Sequence, residues 1–243
     1  MNGFFLRFVV LLLSVLFLVG CSSPGNPSPK ESTSLTASKR KAPDGRTVEI
    51  GHAVAGPQGG LTYRNPHFES CWIADGFDFN GYDTLYIAPT LSTAKFNPKE
   101  EERPHDLAKQ RLATELQTYL GRQGLFANVV TQDSGIMPGK RTLTLENTIT
   151  EYAKGGGGAR YFAGLYGAGQ PALRVAGKMT ENGKDVFTYV ARRSGVSAGA
   201  RISGGFMKDE DIQIQDIRSL ALDLTDFVSA IARKPLVNTR LPQ

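Results

Sequence analysis

Four features of this chain have the residue types, and some of the spacing, that chemistry needs. The first is a thiol: Cys21 stands directly behind Gly20 and an apolar run, where an export signal is cut after a small residue. The second is a hydroxyl, because Gly195-Val196-Ser197-Ala198-Gly199 fits the Gly-x-Ser-x-Gly pattern of a nucleophile elbow. An elbow requires a strand-to-helix turn, whereas here about ten further glycine-rich residues intervene before any helix. A hydrolase of that kind also needs a later histidine, and none follows His105. Ser197 therefore reads as a loop serine, no catalytic residue is assigned, and the chain reads as no enzyme. The third is the acid group Asp75, Asp78 and Asp83, which could meet a Ca²⁺ ion but lacks EF-hand spacing and reads as solvated loop acids. The fourth is the segment 155–169, GGGGARYFAGLYGAG. A phosphate-binding loop would end in Gly-Lys-Ser/Thr, and only Gln170 and Pro171 follow. The run Gly164-x-x-Gly167-x-Gly169 has the reverse of dinucleotide-binding spacing and leads into a strand.

Metal ligation has no pattern either. Cys71 and the scattered His52, His67 and His105 give no ligand spacing, so neither a metal nor a cofactor is expected. Cys71 lies beside Trp72 and Ile73 and reads as a buried thiol.

The segment that delivers Cys21 is an export signal in outline. Arg7 is a short positive start, and residues 8–19 are apolar except for Ser14, too short to span a hydrocarbon core of ~30 Å. Leu18-Val19-Gly20-Cys21 resembles the bacterial lipobox. That resemblance implies a diacylglycerol thioether on Cys21, cleavage just before it and acylation of the new amino group. Two or three acyl chains hold a protein to a membrane where one holds it only marginally. In enterobacterial lipoproteins an aspartate after the cysteine favours the inner membrane. Here Ser22 follows, so an outer-membrane anchor facing the periplasm is expected.

Residues 1–20 thus read as signal, 21–45 as lipidated cysteine and flexible tether, 46–70 as an irregular lead-in, 71–234 as the domain and 235–243 as a tail. The chain has 28 Lys and Arg against 23 Asp and Glu, a net +5, of which Arg7 leaves with the signal. Much of the excess is Lys39, Arg40, Lys41 and Arg46, a basic run that can lean on anionic head groups beside a lipid anchor. No nucleic-acid recognition motif occurs, so nucleic acid is not expected as a partner.

The periodicities predict strands over 84–88, 126–130, 141–152, 172–180 and 185–193, and helices over 106–121 and 209–233. In the first helix Leu107, Arg111, Leu112, Leu116 and Leu120 share a face. In the strand 141–152, Leu143, Leu145, Asn147, Ile149 and Glu151 share a phase, and Asn182-Gly183 marks a hairpin turn. The expected fold is α/β of the α+β kind: a mainly antiparallel sheet of about five strands with two helices on one face, in the order β-α-β-β-β-β-α.

Two readings of the segment 155–169 stay open. Glycine there permits tight turns in a long hairpin connection. Alternatively, Arg160, Tyr161, Phe162, Gly164, Leu165, Tyr166 and Gly167 form a face that contacts a partner or a membrane surface. A threonine-alternating strand, the motif over 159–169, an apolar strand and a hairpin together resemble a domain-of-unknown-function family of small envelope lipoproteins. The likeness covers about residues 71–234. The element order is also similar to small α/β domains of the curli-secretion lipoprotein and the amino-terminal domain of TolB. The resemblance implies an accessory or assembly factor without catalytic residues. The expected role is a membrane-anchored, non-enzymatic binding module, with an envelope protein or a second copy as partner. The alternative is a module that binds a small molecule or lipid near the glycine-rich segment.

Overall fold

The computed structural model describes residues 39–41, 47–56, 59–156, 171–194 and 208–232. In chain order these contain β1 (Lys39–Lys41), β2 (Thr47–Glu49), β3 (His52–Ala55), β4 (Leu61–Arg64), β5 (Ser70–Ile73), β6 (Thr84–Ile87), β7 (Leu91–Ser92), α1 (Pro98–Arg122), β8 (Asn128–Val130), β9 (Thr142–Ala153), β10 (Ala172–Glu181), β11 (Lys184–Arg193) and α2 (Asp209–Ala232). One sheet has nine strands in the order β3-β4-β5-β11-β10-β9-β6-β8, with β7 also paired to β9; β1 and β2 form a separate antiparallel pair. Pairing is antiparallel except that β6 and β7 run parallel to β9, and β6 parallel to β8. The fold is therefore α+β, two helices on a large, mostly antiparallel sheet.

The strand number and order correct the sequence reading of about five strands in the order β-α-β-β-β-β-α. The expected strands are present as β6, β8, β9, β10 and β11, and both helices are present. The additional members of the nine-stranded sheet are β3, β4, β5 and β7. Three of these are four residues long and β7 only two, too short to show a period of two. Much of the lead-in over 46–70, for which the sequence suggested no element, is therefore strand. Within the tether, Lys39-Arg40-Lys41 pairs with Thr47-Val48-Glu49 through its backbone, without any apolar alternation.

β9 shows how patterning becomes packing. Leu143, Leu145 and Ile149 are buried with Leu173, Val175 and Met179 of β10 and with Phe187, Tyr189 and Ala191 of β11. The opposite side of β9 is half-exposed. Val175 pairs with Ile149 but Arg174 with Glu151, so Thr150 is the extra residue of a bulge. The bulge flips the phase: Tyr152 turns into the core, while Glu151 turns outward and receives Arg192 at 2.9 Å. This corrects the assignment of Glu151 to the inward phase. Asn182 (φ 50) and Gly183 (φ 79) make the β10–β11 turn in the left-handed conformations that a two-residue hairpin demands.

α1 begins eight residues before the predicted 106. Asn97 caps it by accepting from the Lys99 N–H at 3.2 Å, Pro98 occupies the first turn, and Glu101 accepts from the Asn97 N–H at 2.7 Å. Pro104 and the surrounding charges disguise this start as loop. The buried face is His105, Ala108, Leu112, Leu116 and Leu120. Leu107, assigned to that face from the sequence, instead points outward and is 53% exposed.

Candidate functional site

Several residues singled out from the sequence lie outside the described residues: Cys21, Ser197, and Arg160, Tyr161, Phe162, Gly164, Leu165, Tyr166 and Gly167. Asp75, Asp78 and Asp83 are described. Asp78 caps a short 3-10 turn by accepting from the Asn80 N–H at 2.9 Å, and Asp83 accepts from the Arg141 N–H at 3.3 Å. No group of three or more His, Cys, Asp or Glu among the described residues could hold a metal ion. Cys71 is buried and free of any disulfide, and burial pushes its thiol well above the usual range.

The structure brings together two polar clusters that no sequence spacing announces. Ser92 Oγ lies 2.8 Å from His105 Nε2, and Asp106 follows His105. The Ser92 hydroxyl donates to the Ile149 carbonyl and accepts from the Ala94 N–H, both at 3.2 Å. That arrangement assigns the Nε2 proton to His105. Asp106 is 3.9 Å from Nδ1, beyond hydrogen-bond length, and holds Lys109 at 2.7 Å instead. Burial, and then Lys109, keep the imidazole below its usual pKa, stacked on Phe96 and edge-on to Tyr152. This is the geometry of a packed neutral histidine rather than of a base aimed at a nucleophile.

The second cluster clips α2 to the end of β11. The buried Arg193 donates to Asp223 at 2.6 Å and to the His67 carbonyl at 2.9 Å, while His67 Nδ1 lies 3.3 Å from Asp223. The hydrogen bond to Asp223 raises the His67 pKa against partial desolvation. A histidine more basic when folded stabilises the fold below its unfolded pKa of about 6.5, and that contribution is lost as pH rises through the folded value. The melting-temperature gap between the native chain and His67→Ala should therefore be wider at about pH 5.5 than at about pH 8.5. Equal gaps at the two pH values would contradict this linkage.

A concavity lies on the outer side of the two helices. They run parallel: Pro104 and Leu107 share a trough with Glu210 and Ile214, and further along Glu115 meets Arg218. The trough has a volume of about 320 Å³, and its lining includes Ala108, Gln213 and Ile217. Arg111 and Thr114 continue into a second hollow of about 340 Å³ with Thr118, Tyr119, Arg122 and Arg218. There the largely buried Glu115 sits 2.8 Å from Arg111 Nε and 3.1 Å from Arg218 Nε. The Arg111 contact is an ion pair lacking hydrogen-bond alignment. One carboxylate thus serves two guanidiniums, and Arg122 adds a third positive charge to the rim. At the opposite end both helices begin with acids, Glu100 and Glu101 in α1 and Asp209, Glu210 and Asp211 in α2. Acids at these ends offset two helix dipoles lying side by side. The groove therefore runs from an acidic end, through an apolar middle, to a cationic end. Exposed Leu107 was the readable signal for it, and the 3.6-residue pattern had assigned that residue to the core.

Fold and groove together define a class: an α+β domain whose paired helices cover one face of a broad sheet and leave an open channel outside. No family model matches the chain, and no curated protein matches it. Among solved structures it is similar to the PelC dodecamer from Paraburkholderia phytofirmans, with 13% identity and a TM-score of 0.41, over 63% of this chain and 96% of that one. It is also similar to protein XCC0632 from Xanthomonas campestris, of family DUF330, with 11% identity and a TM-score of 0.37, over 66% of this chain and 90% of that one. These superpositions are loose, and the reading of the site rests on the geometry of this chain.

Proposed function

We propose that this chain is a lipid-anchored protein of the bacterial cell envelope, held through Cys21 to the outer membrane and facing the periplasm. It acts as a non-enzymatic binding or assembly module, and the outer face of the α1–α2 pair is where it binds. The observation that supports this most directly is the groove itself. An apolar trough beside a cationic hollow, with Leu107 53% exposed at its edge, offers shape, apolar area and charge to a protein surface. The opposite face of the sheet carries Leu91, 65% exposed beside Thr148, but is otherwise dominated by ion pairs. There charges are paired across strands, Lys178 with Glu146 and Asp185, Arg174 with Glu69, and Arg192 with Glu151.

In-cell photocrosslinking tests the assignment. A photoreactive side chain replacing Leu107 or Gln110 should join the protein to a discrete protein partner, while one replacing Thr148 on the open sheet face should not. Crosslinks from Thr148 alone would move the binding surface to the other side of the molecule. A second reading has the trough's volume in its favour, since small-ligand pockets begin near ~300 Å³. A lipid or metabolite held in that trough through native mass spectrometry would favour it.

A further inference from the structure

α2 carries a stripe of three unlike residues. Glu210, Ile214 and Arg218 stand at i, i+4 and i+8, one above another on a single helix face. Glu210 and Arg218 are exposed and Ile214 is half-buried. Ile214 and Leu107 of α1 line the same trough. An acid, an apolar residue and a base at equal intervals form a pattern that is its own complement when turned end over end.

We infer that the groove is filled by a second copy of this chain, docked antiparallel about a two-fold axis passing between Leu107 and Ile214. The inference rests on the binding-module reading and names the partner. In this arrangement Glu210 of each copy faces Arg218 of the other, giving two equivalent ion pairs, while the Leu107 and Ile214 side chains close the apolar middle. Stacked parallel, the same stripes would set acid on acid and base on base. Antiparallel docking also opposes the dipoles of two helices with those of the other two. On α1, Leu107 has Arg103 and Arg111 one turn to either side. Glu115 is shared between Arg111 at 2.8 Å and Arg218 at 3.1 Å, so Arg218 faces the other copy's Glu210 with one side of its guanidinium already held, and Glu100 stands one turn before Arg103. A single self-complementary patch is what a closed two-fold dimer requires of its surface.

The test uses the full-length lipidated protein in detergent, followed by sedimentation with the detergent density-matched. The native chain should be a dimer, and Ile214→Cys copies should be joined to one another by a short bis-maleimide, whereas Thr148→Cys copies should not. Glu210→Arg places like charges in both equivalent contacts and should weaken the dimer about tenfold or more. Mixing Glu210→Arg with Arg218→Glu should restore a heterodimer. Arg218→Glu also sets a second acid beside Glu115, so if that variant fails to fold, the Ile214→Cys crosslink still decides. A monomer at all concentrations with no Ile214→Cys product overturns the inference, as does an oligomer indifferent to Glu210→Arg. A monomer whose Leu107 position captures a different envelope protein overturns the dimer and leaves the binding-module reading standing. Silence at Leu107 and Gln110 in the photocrosslinking, together with no Ile214→Cys product, overturns both.

Discussion

Cys21→Ala is expected to abolish acyl labelling completely and to leave the precursor uncut, longer by its first twenty residues. On the proposed anchoring, Cys21 is the residue that carries the acyl chains. Residues 22–38 are rich in serine and proline, and no helix among the described residues is long and apolar enough to cross a membrane. If the chain is anchored as proposed, its attachment depends on acyl chains, at ~0.8 kcal/mol per buried methylene. Metabolic labelling with a tritiated fatty acid and mass spectrometry of the amino terminus would read the result. A companion form makes the same point in solution: Cys21→Ala behind an ordinary cleavable export signal should partition as a water-soluble protein. Retained label, or cleavage at the same bond without Cys21, would remove the anchor from the proposal.

The largest expected effect inside the fold is at Gly177, in the middle of β10. A Cβ added there would lie 2.2 Å and 2.5 Å from ring carbons of Tyr189 and 2.8 Å from Asn147 Oδ1. The Tyr189 ring has no direction in which to retreat. It packs against Phe68 and Phe187, and its hydroxyl donates to Asn147 Oδ1 at 2.7 Å. Gly177→Ala should therefore cost about 3 kcal/mol, the upper part of the usual range for overpacking a core. For a domain of this size that lowers the melting temperature by roughly 6–12 °C. Double-mutant analysis identifies the cause: Tyr189→Leu is itself destabilising, but in that background Gly177→Ala should cost far less. An undiminished cost would place the strain in the backbone and not against the ring.

Gly177 also shows where sequence reading stops. Its identity is set by a ring from the neighbouring strand, and a glycine in mid-strand looks from the sequence only like a weak point. The strands and helices with a sustained period were legible, among them β9, the β10–β11 hairpin with its Asn182-Gly183 turn, and α2. Two kinds of element were not. Strands of two to four residues carry too few side chains for a period to emerge, which hid β3, β4, β5 and β7. A helix start built on Asn97, Pro98 and Glu101 reads as loop when Pro104 follows. Within the candidate site, the chemistry of Arg111, Glu115 and Arg218 depends on two helices lying parallel, with Glu115 and Arg218 103 positions apart, and no spacing in one segment encodes that. Leu107 was noticed and turned the wrong way, because apolar residues at helical spacing are ordinarily core.

The sheet order has a consequence for how the chain can assemble. β5 has β11 as its neighbour on one side, and the pair Glu69 to Arg174 spans 105 positions. The β9–β10–β11 meander is local and can form on its own terms. Its two edges then receive strands supplied much earlier in the chain, β5 on one side and β6 on the other. The β3–β4–β5 meander can pair within itself, but its edge at β5 has no partner until β11 is in place. A chain halted before β11 would leave β5 as an open strand edge, the kind of edge through which sheets aggregate, so this meander is expected to be the aggregation-prone part of a truncated chain.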